Sequence, residues 1–206
     1  MTARVSGTEG YAEEADALVG QYESISFAEA HRHVLHLIPS APCRVLDIGA
    51  GTGRDAAAFA AMGHAVVAVE PTAELRARAA ALHPSPRIEW LDDGLPELAR
   101  LAGQGGDFDV VMLTAVWMHL DEGQRRRAMP RVARLVRGGG VAVFSLRHGP
   151  VPPGRRMFDV SAEETAGLAA AAGLGLALRL DDRADTLGRP GVRWTRLAFS
   201  KATEAA

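Results

Sequence analysis

The chain has 206 residues, with 23 Lys+Arg against 25 Asp+Glu and 48% hydrophobic side chains, enough to fill the core of one domain. A formal charge of −2 argues against a general nucleic-acid or membrane-surface binder, which carries a large basic excess. The single cysteine, Cys43, excludes a disulfide framework and a zinc cluster. No apolar run is long enough to span a bilayer, and the acidic N-terminus does not read as a secretory leader, so a soluble, cytoplasmic protein is expected. Lys201 is the sole lysine; the Arg, Ala, Gly and Pro bias looks like codon usage in a GC-rich genome, and a bacterial source is expected.

Residues 13–19 and 27–38 read as helices ahead of a regular alternation. The N-terminal region holds Tyr11, Tyr22, Phe27, His31, His33 and His36 in a chain with 5% aromatics. The three histidines do not share a helical face, so no metal site is expected there. CRVLDIG is a short β-rich run, the pattern of a strand buried on both faces. Residues 54–62 form a helix with Asp55 in its first turn. HAVVAVE is the next strand, followed by a helix over 72–82 that Pro84 and Pro86 stop. RIEWL, a helix through Glu97 and Leu98, and DFDVVML repeat the unit. Residues 121–137 are amphipathic, with Met129, Val132 and Val136 opposite Arg127, Arg131 and Arg134. GGG then leads into the strand VAVFSL.

RHGPVPPGRR reads as a loop. Ser161 and Glu164 form a capping box opening a helix to about Ala172. LGLALRL and VRWTRLAFS complete the chain as an antiparallel edge hairpin. Strands separated by helices at this spacing imply an α/β, doubly wound, mostly parallel sheet. Residues 1–206 are expected to form a single domain, with the helices of 1–40 lying outside the alternating unit of 41–206.

VLDIGAGTGR is the most informative segment. A buried strand ends in Gly49, Gly51 and Gly53, which permit a tight turn and close approach to a ligand. About twenty residues on, at the tip of the next strand, stands Glu70, placed to accept from the two hydroxyls of a ribose. A dinucleotide site calls for G-x-G-x-x-G; here the spacing is G-x-G-x-G, with Arg54 where the last glycine would stand. The G-K-[ST] of a phosphate-cradling loop is absent.

Asp47, the three glycines and Glu70 in VVAVEPT resemble the motif of class I S-adenosylmethionine-dependent methyltransferases. The resemblance runs from about Cys43 to Leu146, through LDDGLPEL, DFDVVMLTAVWMHL and LVRGGGVAVFSL. It implies a Rossmann-like three-layer sandwich over 41–206 around a seven-stranded sheet, six strands parallel and the seventh antiparallel, with 1–40 as a helical lid. It also implies S-adenosylmethionine as cofactor, leaving S-adenosylhomocysteine as product. Gly49, Ala50, Gly51 and Gly53 would line the methionine and ribose, Asp47 would lie near the amino group, and Glu70 would hold the ribose. Pro71 or Thr72 would pack on the adenine, and Asp92 or Asp93 would accept from its amino group; both acids also read as helix caps. Thr114 to Trp117 would border the methionine chain and the methyl group, with Tyr22 as a lid contact.

Methyl transfer from a sulfonium is an in-line displacement, in which the protein supplies alignment and a dry pocket. A base is needed only when the nucleophile carries a proton. His148 and His119 are the candidates; His119 also has a structural reading, through a His-Leu pair common among relatives. Arg147, Arg155 and Arg156 around His148 read either as an anion clamp or as a solvated loop. A small-molecule nitrogen, oxygen or sulfur is the expected acceptor, and a monomer or homodimer the expected state. An RNA methyltransferase and an NAD(P)-dependent oxidoreductase are the rival readings. The Arg-rich helix occupies only a solvent face, and the base-methylating tetrapeptide is missing at 114–117.

Overall fold

The structure, a computed structural model, describes residues 5–203; the ends of the expected domain, 1–4 and 204–206, lie outside the described residues. Two helices, α1 (Ala15–Glu23) and α2 (Phe27–His31), precede the alternating unit of β1 (Arg44–Ile48), α3 (Arg54–Ala61), β2 (Ala65–Val69), α4 (Ala73–Leu82) and β3 (Ile88–Leu91). Then come β4 (Phe108–Thr114), α5 (Glu122–Leu135), β5 (Val136–His148), α6 (Ala162–Ala171), β6 (Leu174–Ala184) and β7 (Arg193–Lys201). The seven strands form one sheet in the order β3-β2-β1-β4-β5-β7-β6. Neighbours from β3 to β5 are parallel, whereas β7 lies antiparallel between β5 and β6. The strand order reverses between β1 and β4, and the crevice at their C-terminal ends is where a doubly wound sheet takes ligands.

Strand alternation divides the core. Leu46, Ile48, Val111, Leu113, Phe144, Leu146 and Phe199 meet α5 and α6 on one face. Val45, Val110, Met112, Val143 and Ala198 meet Phe27 and Phe59 on the other. There α1 packs through Leu18 against Leu75 of α4.

Several local expectations change. The helix expected over 27–38 ends at His31, leaving one 3-10 turn over Leu35–Leu37; the break lets Val34 join Phe27 and Phe59 in the core. No α-helix forms through Glu97 and Leu98. Only a 3-10 turn over Ala99–Leu101 appears, because Pro96 lacks a donor, Leu98 takes a positive φ of 43°, and Asp93 captures the N–H groups of Gly94, Ala99 and Arg100. The glycine run lies inside β5 rather than ahead of it. A Cβ at Gly140 would sit 3.0 Å from the carbonyl oxygens of Phe108 and Asp109, at the bulge where β4 and β5 change register. Ser161 caps α6 by accepting from the Glu164 N–H. The Glu164 carboxylate turns instead to Arg125, at 2.8 and 3.0 Å, so half of the expected box forms.

The N-terminal helices are fastened to the sheet by a buried polar knot. Asp55 meets His31 Nε2 at 2.7 Å, Arg54 Nε at 2.8 Å and the donating Thr114 hydroxyl at 2.9 Å. Burial by itself would raise the Asp55 pKa, but His31 and Arg54 hold it far below the ordinary aspartate range. Because the folded value is depressed, this stabilisation is full above the unfolded pKa of ~3.9 and is lost as pH falls below it. Asp55→Ala should cost about 3–5 kcal/mol, the scale for breaking a buried pair by removing one partner, measured as a lower urea midpoint at pH 7. The difference from the parent chain should shrink on acidification below pH ~4.

Candidate active site

A cavity of about 400 Å³ opens at the C-terminal ends of β1, β2, β4 and β5 and the N-terminal end of the antiparallel β7. Its floor is built by the β1–α3 turn. Gly49 and Ala50 donate their N–H groups to the Val69 carbonyl at 2.8 and 2.9 Å, drawing the turn across the tip of β2. Gly51, at φ 58°, then donates to Glu70 Oε2 at 2.9 Å. Thr72 N–H donates to Glu70 Oε1 at 2.8 Å. With the Thr72 side chain adding a further hydrogen bond, three of the four lone-pair positions of the carboxylate are used and one is left for a ligand.

Glu70 is 5% exposed and Asp47 1% exposed. Burial raises the Glu70 pKa against the opposing pull of the Thr72 and Gly51 N–H groups. Burial, and after it the negative Asp55, raise that of Asp47. Asp47 Oδ2 is buried with no hydrogen-bond partner. A carboxylate held this way gains from a bound cation, the cheapest means of offsetting its desolvation.

The loop glycines divide the labour. A Cβ at Gly51 would meet only the Gly49 carbonyl oxygen, at 3.9 Å, so this position is open to the cavity. Gly53 does not line it: at φ 87° its α-hydrogens face Trp90, where a Cβ would come within 2.9 Å. Gly53 closes α3 onto α4 and β3 and acts on the site only through the shape of the turn.

The other expected residues separate in the same way. Asp47, Gly49, Ala50, Gly51, Glu70, Pro71, Thr114, Tyr22 and His119 all line the cavity, with Thr114 committed to Asp55. Asp92 and Asp93 do not line it. Asp92 pairs with Arg76, and Asp93 caps the turn after β3; Gly94 and Leu95 border the cavity in their place. Trp117 is fully buried in the core against Phe144, while Val116 and Met118 reach the cavity.

His148 is not on the cavity side. Ser145 and Arg147 line the cavity from β5, so alternation turns Leu146 and His148 to the other face. There His148 meets the Thr195 hydroxyl at 2.9 Å. The expectation that it faces substrate is corrected by the strand extending to His148 itself, which leaves no loop to turn the ring. The three arginines assigned to its surroundings also part. Arg147 and Arg155 line the cavity, and Arg156 pairs with Asp121 at 3.0 Å.

His119 has defined partners. Its Nδ1 lies 2.8 Å from the Arg156 carbonyl, which can only accept, so Nδ1 carries the proton. In the neutral ring Nε2 then accepts from the Tyr11 hydroxyl at 3.0 Å. Burial lowers the His119 pKa below the ordinary histidine value. Arg155 lies 4.1 Å from the centre of the Tyr11 ring and pairs with Glu14 at 2.7 Å, fixing the N-terminal segment over the cavity.

The sequence reading missed Tyr11 as a partner of His119, and missed Arg196, Trp194 and Asp55 as cavity residues. A usable signal was present for two of them. Trp194 and Arg196 stand two apart in an apolar strand, the spacing that sends both to one face.

Residues 45–140 match the family model described as "Methyltransferase domain". An uncharacterised methyltransferase of Mycobacterium tuberculosis is 32% identical over 129 residues, 59% of this chain and 47% of that protein. The chain thus spans about half the length of the curated relatives it matches. A TehB-like S-adenosylmethionine-dependent methyltransferase of Corynebacterium glutamicum superposes with a TM-score of 0.71 at 18% identity, covering 92% of this chain and 98% of that one. The 1,6-didemethyltoxoflavin N1-methyltransferase of Burkholderia thailandensis, solved with 1,6-didemethyltoxoflavin and S-adenosylhomocysteine, gives 0.61 at 20%, covering 93% and 88%. With the Asp47–glycine loop–Glu70 geometry, these matches make residues 45–140 similar to a methyltransferase domain, on a fold shared with solved S-adenosylmethionine-dependent methyltransferases.

Proposed function

We propose that the chain transfers a methyl group from S-adenosylmethionine to a nitrogen, oxygen or sulfur of a small molecule. The observation that carries the cofactor assignment is the pair of buried carboxylates at the tips of adjacent strands, Asp47 with a free oxygen and Glu70 with a lone pair left, around an open Gly51. Asp47 would hold the ammonium, Glu70 the ribose hydroxyls, and Pro71 and Leu95 the adenine edge. When bound, the cofactor supplies an electrophilic methyl group. Residues 5–40 act as a lid, with Tyr11 and Tyr22 facing the cavity; a cavity of this size suits a small acceptor in a cytoplasmic bacterial protein.

Where the acceptor carries a proton, His119 is placed to receive it through Tyr11, whose hydroxyl already donates to Nε2. The proton moves from acceptor to Tyr11 Oη as the Tyr11 proton passes to His119, leaving a phenol and an imidazolium. This route needs neutral His119. Because the pKa is lowered, turnover should fall only below pH ~6.5 and stay flat through pH 7. Tyr11→Phe and His119→Ala should each lower turnover about 100-fold with little change in S-adenosylhomocysteine affinity, assayed by product release across a panel of small acceptors. Unchanged turnover in both variants removes the route.

Calorimetric titration tests the cofactor assignment. S-adenosylhomocysteine should bind and NADH should not; NADH binding alone would overturn the proposal. Glu70→Ala should weaken S-adenosylhomocysteine by roughly 1.5–3 kcal/mol, the scale for a lost charge-assisted hydrogen bond. Gly51→Ala should weaken it as well, by placing a methyl group in the open space. Gly53→Ala should chiefly lower the thermal midpoint, because its collision is with Trp90 rather than with ligand space.

A further inference from the structure

Arg147 is only 8% exposed, yet its guanidinium is almost without partners. Its Nε is buried with no hydrogen bond, and its one polar contact runs from Nη1 to the Met157 sulfur at 3.9 Å. A buried cation of this kind ordinarily sits against a carboxylate. The nearby acids are already committed. Asp185 takes Arg189 Nε and Nη2, the Arg189 N–H and the Trp194 indole N–H. Glu14 is held by Arg155, and Asp55 by His31 and Arg54. Among the described residues, no oxygen accepts from Arg147.

The neighbours reinforce this imbalance. Ser145 and Arg147 of β5 face Arg196 and Trp194 of β7 in direct register, and all four line the cavity. Arg196 spends one bond on the Ala30 carbonyl, at 3.2 Å, and burial pushes its pKa down to about 10. Two desolvated guanidinium groups therefore flank an indole on one wall. This wall is made by the second and third strands from β1, with Arg147 four residues beyond the level of Asp47 in the register, on the side away from Glu70.

We propose that this wall is an anion subsite, in which Arg147 binds a carboxylate or phosphate group of the methyl acceptor while Trp194 packs on its apolar body. A planar fork with a free Nε edge suits either group through paired N–H donors. The inference rests on the cavity being the methyltransferase site, since it assigns the end that the cofactor leaves open.

The test uses benzoate, phenyl phosphate and the uncharged benzamide, titrated into the full chain with and without saturating S-adenosylhomocysteine. Binding is followed by calorimetry and by tryptophan fluorescence. Benzoate or phenyl phosphate should bind at least tenfold more tightly than benzamide in the loaded protein, and the tighter of the two identifies the anion. Arg147→Met should abolish that preference and leave S-adenosylhomocysteine affinity within twofold. Equal binding of benzamide, or an unchanged preference in Arg147→Met, overturns the subsite. A tenfold loss of S-adenosylhomocysteine affinity in Arg147→Met also overturns it, because Arg147 would then serve the cofactor's own carboxylate. Arg147-dependent benzoate binding in a protein that does not bind S-adenosylhomocysteine would leave the subsite standing and defeat the cofactor reading. Should Arg147→Met fail to fold, Arg147→Lys and the preference of the parent chain decide the matter.

Discussion

Burying carboxylates at one sheet edge is the constraint around which this molecule is arranged. Asp47, Asp55 and Glu70 all sit where the strands end and the core closes, and a bare charge cannot be held there without compensation. Each is answered differently. Asp55 receives His31, Arg54 and Thr114, which turns a desolvation problem into the fastening between the N-terminal helices and the sheet. Glu70 receives two backbone N–H groups, which fix the glycine turn across the strand tip. Asp47 keeps an oxygen without a partner. The first solution builds the fold, the second shapes the site, and the third leaves something for a ligand to do.

A complementary arrangement occupies the opposite wall. Arg155 is balanced by Glu14 and stacked on Tyr11, so its charge organises the segment over the cavity. Arg189 is balanced by Asp185. Arg147 has no ion-pair partner of its own among the described residues. The cavity therefore has an electronegative end at β1 and β2 and an electropositive wall at β5 and β7. That polarity runs along the sheet and provides an axis along which cofactor and acceptor can be ordered, with the switch point between β1 and β4 as its middle.

The fold was largely legible because buried parallel strands leave continuous apolar runs, and CRVLDIG, HAVVAVE and DFDVVML all fell where the strands are. The ligand loop was legible for a related reason: positive φ at Gly51 and Gly53 narrows the residue choice so far that it shows in the sequence. Features set by competition between partners were not legible. Glu164 follows Ser161 at capping-box spacing, but a better partner, Arg125, arrives from another helix. Asp92 and Asp93 stand at the expected place, yet one meets Arg76 and the other the backbone of its own turn. Pro96 and the positive φ of Leu98 break a helix that composition alone supports.

The sequence by itself determined the sheet architecture, the glycine turn and the acids at the ends of the first two strands, because each depends on local periodicity or backbone sterics. Only the tertiary structure decided which side chains share the cavity. It removed His148, since one residue along a strand reverses the face. It paired His119 with Tyr11 across 108 positions of chain, and the Arg156 carbonyl then fixed which ring nitrogen accepts. It also left Arg147 without an acid, which no reading of spacing could reveal: the solvation of a charge depends on every group around it, and those groups come from strands and loops far apart in the chain.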